Sequence, residues 1–289
     1  MPIISTDKFL LWKDKQILKG GDYQSLSFLI DSIGGLSKNQ INLLKIKSEK
    51  QVKLKINLDL LESIWEEHLL KSTPIEYLTG IAYWRDLKLE VSNKVLIPRP
   101  ETELIIEIVS EVFKNNLKKI IFADLGTGSG AISIALTLAN PIWHGLATDV
   151  DRNVLEIASR NFANYSKESN LGFYCGHWWN PLHNFKGKID LAIANPPYIP
   201  NDVYKQLPIE VKNFEPKIAL LGGEDGLDHI KEIIKFAPCY LKEKGWLLIE
   251  NHYDQGSRVK LLFLEHGFTE VRVLKDLSGI GRFTIGRYK

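Results

Sequence analysis

Residues 119–139 read "KIIFADLGTGSGAISIALTLA", a short apolar run, a glycine-rich break and a second apolar run. Short continuous apolar runs are what strands look like when crossover helices bury both their faces, so the stretch predicts strand, loop and helix of a doubly wound sheet. Gly126, Gly128 and Gly130 let the backbone turn tightly and come close to a ligand at the carboxyl end of the first strand, where such sheets bind ligands. Thr127 and Ser129 fill the loop between them. The spacing is G-x-G-x-G rather than the G-x-G-x-x-G of a dinucleotide site, and Asp124 stands two positions before the first glycine. An acid there argues against an anionic cofactor and for a cationic or amino-bearing one.

The same alternation runs to the end of the chain, through "HGLATDV", "VLEIASRNFA", "GFYCGHWW", "KIDLAIANPPY", "LDHIKEIIKFA", "GWLLIENHY", "RVKLLFLEHG", "FTEVRVLKD" and "RFTIGRY". The last two strands have no helix between them, and "DLSGIG" predicts an antiparallel hairpin at one edge. Upstream, in "IEYLTGIAYWRDLKLEVSNKVLIPRP" (75–100), the period changes from 3.6 to 2: Leu87, Leu89 and Val91 alternate with polar residues, and Ser92-Asn93 turns the chain before Val95 and Ile97. A hairpin joining two domains is expected there, ended by Pro98 and Pro100, with Pro100 opening the helix "ETELIIEIVSEVF". The first 75 or so residues show no convincing strand. In "NLDLLESIWEEHLLK" Leu61, Ile64, Trp65, His68 and Leu69 share a helical face, with Asn57 or Asp59 as cap. The expected organisation is a helical domain over 1–75, a hairpin linker over 76–98 and a catalytic domain over 99–289.

Composition sets the outer bounds. The chain has 289 residues, 44% hydrophobic and 25% charged, enough for one large domain or two smaller ones. Lys+Arg 37 against Asp+Glu 35 leaves +2, too balanced for a whole-protein field that grips a phosphate backbone, so no direct nucleic-acid contact is expected. Lys45, Lys47, Lys50, Lys53 and Lys55 in "LKIKSEKQVKLK" read as a solvated face. Cys175 and Cys239 form no C-x-x-C or disulfide framework, which together with the lack of a signal peptide fits a reducing cytoplasm. No apolar run reaches a membrane-spanning length. His144, His183, His229, His252 and His266 show no metal spacing; surface or packing roles and no metal are expected.

Two further loops carry chemistry. Asp149 ends "HGLATD", 19 residues beyond Gly130, where an acid can accept from both hydroxyls of a ribose; Asp151 is its rival, better suited to capping the next helix. At 194–200, "ANPPYIP" closes a buried strand with Pro196 and Pro197, which fix φ and remove both N–H groups. The result is a stiff loop of acceptors at Asn195 with no neighbouring donor.

A G-x-G-x-G loop, an acid after the second strand and N-P-P-Y after the fourth together resemble the class I S-adenosylmethionine-dependent methyltransferases that act on planar nitrogens. "VLIPRPETE", "DLGTGSGAISIALTLA", "NPPYIP", "FEPKIALLGGEDGL" and "GRFTIGRY" narrow the resemblance to the PrmC/HemK family, from about Tyr77 to the end. The resemblance implies a seven-stranded, Rossmann-like α/β methyltransferase domain with a small N-terminal helical domain. It implies S-adenosyl-L-methionine as cofactor and methylation of the N5 amide of the glutamine in the Gly-Gly-Gln motif of class I peptide-chain release factors; separately, a cytoplasmic monomer is expected. By resemblance, Gly126 to Gly130 meet the methionine part of the cofactor, Asp149 the ribose and Trp178 the adenine, with Trp179 the alternative. Asn195, Pro196, Pro197 and Tyr198 hold the glutamine, Asn195 also bordering the cofactor and Tyr198 stacking on the flat amide. His177 stands where many relatives have an acid before the adenine-stacking aromatic, and Arg99, Glu101 and Glu215 read as supports at the pocket mouth. Rival readings are a glutamine methyltransferase of a ribosomal protein, an amino methyltransferase acting on adenine in DNA or a base in rRNA, and a silent cofactor-binding adaptor.

Overall fold

A computed structural model describes residues 1–44, 46, 50–114, 118–168 and 170–289. The chain divides into two compact units, one of residues 1–81 with 209–214, the other of 82–208 with 215–289.

In the first unit strand β1 (Ile3–Ser5) leads into helices α1 (Thr6–Leu18), α2 (Tyr23–Leu29) and α3 (Lys38–Leu44), then β2 (Gln51–Lys53), α4 (Leu58–Lys71) and α5 (Ile75–Thr79). Asn57 caps α4, its side chain accepting from the Leu60 N–H at 2.9 Å. Leu61 and Trp65 on that helix are fully buried among Phe9, Leu26, Leu29 and Ile30. Not all of this unit is helical. β1 and β2 pair antiparallel over three residues each, Ile4 against Val52, too short for an alternating pattern to stand out. Lys50, Lys53 and Lys55 are exposed, as a solvated face requires; Lys45 and Lys47 lie outside the described residues.

The hairpin falls within the expected 76–98 segment but turns earlier than Ser92-Asn93. β3 (Ile81–Trp84) pairs with β4 (Leu87–Glu90) around Arg85-Asp86, Arg85 taking φ +50. A turn does form at Ser92, whose carbonyl accepts from the Val95 N–H at 2.9 Å, but Val95 and Ile97 lie in a loop between β4 and the next helical turn. Val95 is instead buried against Val154 and Ile157, so its alternation with Ile97 reflects burial of a loop.

A single 3-10 turn at Pro100–Glu103 precedes α6 (Leu104–Val112). The sheet then builds from β5 (Ile121–Leu125), α7 (Ala131–Ala139), β6 (His144–Asp149), α8 (Arg152–Ala163), β7 (Leu171–Cys175) and β8 (Ile189–Ala194). Short helices α9 (Asn201–Lys205) and α10 (Ile209–Phe214) come before α11 (Asp228–Tyr240), β9 (Leu241–Glu250), α12 (Gly256–Glu265), β10 (Phe268–Lys275) and β11 (Gly281–Tyr288). The order is β10-β11-β9-β8-β5-β6-β7, with β11 antiparallel between β9 and β10. One apolar layer, with Phe122, Ile134 and Leu191, covers one face of the sheet; another, with Leu146, Ile234 and Leu247, covers the other. Among the described residues no helix is long and apolar enough to cross a membrane.

Gly145 shows how tightly the first layer is filled. A Cβ there would stand 2.6 Å from Leu171 Cδ1 and 2.6 Å from Phe122 Cζ, and both side chains are themselves buried. Gly145→Ala is expected to cost about 1–3 kcal/mol of stability through overpacking, read as a lower urea midpoint at unchanged m.

Candidate active site

Parallel pairing of β5 with both β6 and β8 brings the glycine loop, the turn after β6 and the N-P-P-Y loop to one edge of the sheet. They wall a cavity of about 200 Å³. Gly130, at φ +85, lets α8 approach the loop: a Cβ would lie 3.2 Å from the Cβ of Ala158. Asp124 works from beneath the loop. Fully buried, it accepts from the hydroxyls of Ser133 and of Thr127, the latter at 2.6 Å, and burial pushes its carboxyl up. Its Oδ1 is buried with no hydrogen-bond partner.

Asp149 is on the cavity wall, its Oδ2 accepting from the Gly128 N–H at 3.1 Å and its Oδ1 from the Asp151 N–H at 3.2 Å. Burial pushes this carboxyl up as well. Asp151 caps α8, accepting from the Asn153 N–H at 2.8 Å, and the Asn153 side chain helps hold it below the usual carboxylate range.

The two tryptophans have separate places. Trp179 is buried, stacked on Tyr240 at 4.9 Å and donating to the Ile233 carbonyl at 3.0 Å. Trp178 lines the cavity in the left-handed region (φ +45), with its ring laid against Gly126, where a Cβ would meet it at 2.9 Å. Only Trp178 is placed to meet a ligand.

Beside it, His177 Nδ1 lies 3.2 Å from Glu232 Oε1, and the His229 ring meets Trp178 edge-on at 5.5 Å. His229 is therefore a wall residue, and burial pushes its imidazole down. His177, His229 and Glu232 offer ligand atoms within 4.8 Å of one another, close enough to share an ion, a grouping that linear spacing could not show.

At the far end Asn195 and Pro197 line the cavity while Pro196 is buried. Asn195 Nδ2 donates to Thr102 Oγ1 at 3.1 Å, and Thr102 Oγ1 donates to Glu250 Oε2 at 2.8 Å. Tyr198 does not face the cavity; its hydroxyl donates to Glu250 Oε1 at 3.1 Å and its carbonyl accepts from Gln255 Nε2 at 3.0 Å. The Tyr198 hydroxyl is thus held by Glu250 and its carbonyl by Gln255, on either side of the ring that the resemblance assigns to stacking. Arg99 at the mouth pairs with the buried Glu215, whereas Glu101 is exposed.

The sequence did not single out Thr102, Glu250 or Gln255, and the surface or packing role expected of His229 gives way to a place on the cavity wall. Glu250 had a readable signal, an acid closing an apolar strand run, the same feature that singled out Asp149. Thr102 had none beyond its place between Glu101 and Glu103.

A Methyltransferase small domain family model matches residues 102–207. The release factor glutamine methyltransferase of Prochlorococcus marinus is 39% identical over 280 residues, covering 96% of each chain. That of Coxiella burnetii is 38% identical over 225 residues, 78% of this chain and 79% of its own. The chain belongs to the release factor glutamine methyltransferase family. Among solved structures the hMettl16 catalytic domain, in complex with the MAT2A 3'UTR hairpin 6, superposes at TM-score 0.58 and 16% identity over 94% of this chain and 93% of that one, which shows the shared fold.

The residues present fit the cofactor of such a family. A glycine loop with an unpartnered buried carboxylate oxygen beneath it, an acid on the wall and an indole face suit a cationic, amino-bearing nucleoside. Asp149→Ala is expected to weaken S-adenosylmethionine binding about 10- to 100-fold by calorimetry, since hydrogen bonds to a charged group are lost. Asp151→Ala is expected to leave that affinity in place and to lower stability by about 1 kcal/mol through loss of the cap.

Proposed function

We propose that the protein transfers a methyl group from S-adenosyl-L-methionine to the N5 side-chain amide nitrogen of the glutamine in the Gly-Gly-Gln motif of class I release factors. The observation that carries this reading is the orientation of Asn195. With Nδ2 spent on Thr102, its Oδ1 is the atom left for the cavity, beside a proline pair that contributes carbonyl oxygens and no N–H. A planar primary amide offers two N–H groups, and two fixed acceptors are its complement.

The cofactor, when bound, supplies an electrophilic methyl group. An amide nitrogen is a poor nucleophile because its lone pair is delocalised into the carbonyl. Asn195 Oδ1 and the Pro196 carbonyl grip both hydrogens, aligning the nitrogen and raising its electron density. No general base is required on the chain, because the methylated amide loses its proton to water after transfer. Asp149, at the end of β6, takes the ribose and Trp178 the adenine. The N-terminal unit is assigned to holding the body of the release factor, and the enzyme is read as a monomer of the cytoplasm.

The test is transfer of labelled methyl to a purified release factor, beside a variant with the motif glutamine changed to alanine, a ribosomal-protein mixture and DNA. Label on the unaltered factor alone is expected; label only on ribosomal protein or DNA would discard the substrate. Asn195→Ala is expected to lower kcat by about 10²- to 10³-fold, the loss typical of one preorganised electrostatic contact, with cofactor binding mostly intact.

A further inference from the structure

We propose that Glu250 is a positioning residue for the target amide, its buried carboxylate acting through the Thr102 hydroxyl to fix which way the Asn195 side-chain amide faces. The proposal rests on the reading of Asn195 as an amide acceptor and extends it to a residue outside the cavity. Glu250 closes β9, next to β8 in the sheet, and is 1% exposed. An ionised carboxylate only accepts, so the single Thr102 proton is committed to Glu250 Oε2. The Thr102 oxygen then has only lone pairs to offer Asn195, which must turn its NH₂ toward Thr102 and its Oδ1 toward the cavity.

The polarity of this chain reverses when Oε2 is protonated. Glu250 then donates to Thr102, whose own proton turns to Asn195. Asn195 presents Oδ1 to Thr102 and its two N–H groups to the cavity, donors facing the donors of a glutamine amide. The other carboxylate oxygen accepts from Tyr198, so the same group anchors the loop on both sides of the proline pair.

The charged and titratable groups facing Glu250 are Tyr198 on the loop, Arg282 on β11 and Glu101 from the 3-10 turn. Arg282 is itself paired with Asp276, and Arg99 adds positive charge near Tyr198. Burial pushes the Glu250 carboxyl up to about 7, against the pull of Thr102, Tyr198 and Arg282. A raised carboxylate loses its proton as pH rises through that value, so the acceptor-only state, and with it the rate, increases across neutral pH.

The experiment measures kcat and KM of the full chain on a purified release factor from about pH 6 to 9, for the wild type, Glu250→Gln, Thr102→Val and Thr102→Ser, together with cofactor affinity and melting temperature. The wild-type kcat is expected to rise through a limb near neutral pH. Glu250→Gln loses the limb and about 10²-fold in kcat, the scale of a misplaced reacting group, with cofactor affinity unchanged. Thr102→Val falls similarly and Thr102→Ser, which restores the hydroxyl, recovers most of the rate. A merely structural Glu250 would lower the melting temperature and leave the shape of the pH profile intact, which overturns the proposal. Wild-type rates in folded Thr102→Val and Glu250→Gln overturn it also, with the substrate reading intact. A wild-type enzyme that methylates no release factor overturns both.

Discussion

A buried carboxylate that accepts from two hydroxyls organises the reacting edge of this protein. Glu250 holds Thr102 with one oxygen and Tyr198 with the other, linking the segment before α6, the loop after β8 and the end of β9. Burying an ionised carboxylate is costly unless its lone pairs are satisfied, so the three segments and the charge require one another. The backbone enforces the same geometry. Gly226, at φ +73, passes so close to the loop that a Cβ would stand 2.3 Å from the Tyr198 carbonyl oxygen. Ile199 forms a bridge with Leu221, its N–H reaching the Leu220 carbonyl at 2.9 Å. The N-P-P-Y loop is thereby braced by hydrogen bonds on the side its prolines leave free.

The two ends of the cavity divide the labour by polarity. Around β5 and β6 stand two buried or wall carboxylates, Asp124 under the glycine loop and Asp149 on the wall, with Trp178 laid over Gly126. Such an end favours positive charge and an aromatic face. Around β8 the proposed acceptors are neutral carbonyl oxygens, which bind N–H donors without changing their charge. Methyl transfer from a cation to a neutral amide needs that separation, since a carboxylate beside the target nitrogen would compete for the methyl group.

Much of this was legible in the sequence because it depends on local patterns. Alternating runs after residue 118 marked every strand of the large sheet, including the antiparallel edge announced by "DLSGIG", because buried parallel strands are continuously apolar. Asn57, Asp151 and Pro100 were readable as helix starts, since caps act within one turn. What escaped depends on distance. β1 and β2 are three residues each and pair across 45 positions of sequence, and Val95 alternates with Ile97 because of burial in a loop. The hydrogen bond from the Tyr198 hydroxyl to Glu250 joins residues 52 positions apart. His229 and Glu232 look like helix surface until α11 brings them beside His177 and Trp178. Trp178 and Trp179 were inseparable as letters, and one core contact, Trp179 stacked on Tyr240, distinguishes them.

The central claim is that Asn195 Oδ1 and the Pro196 carbonyl form a fixed pair of acceptors for a primary amide. The most direct measurement is a crystal structure of the enzyme with S-adenosylhomocysteine and a release factor. The account predicts the motif glutamine nitrogen within roughly 2.7–3.2 Å of both oxygens, with Asn195 Nδ2 still on Thr102. A glutamine nitrogen held by any other acceptor, or an Asn195 released from Thr102 to donate to the glutamine oxygen, would contradict it.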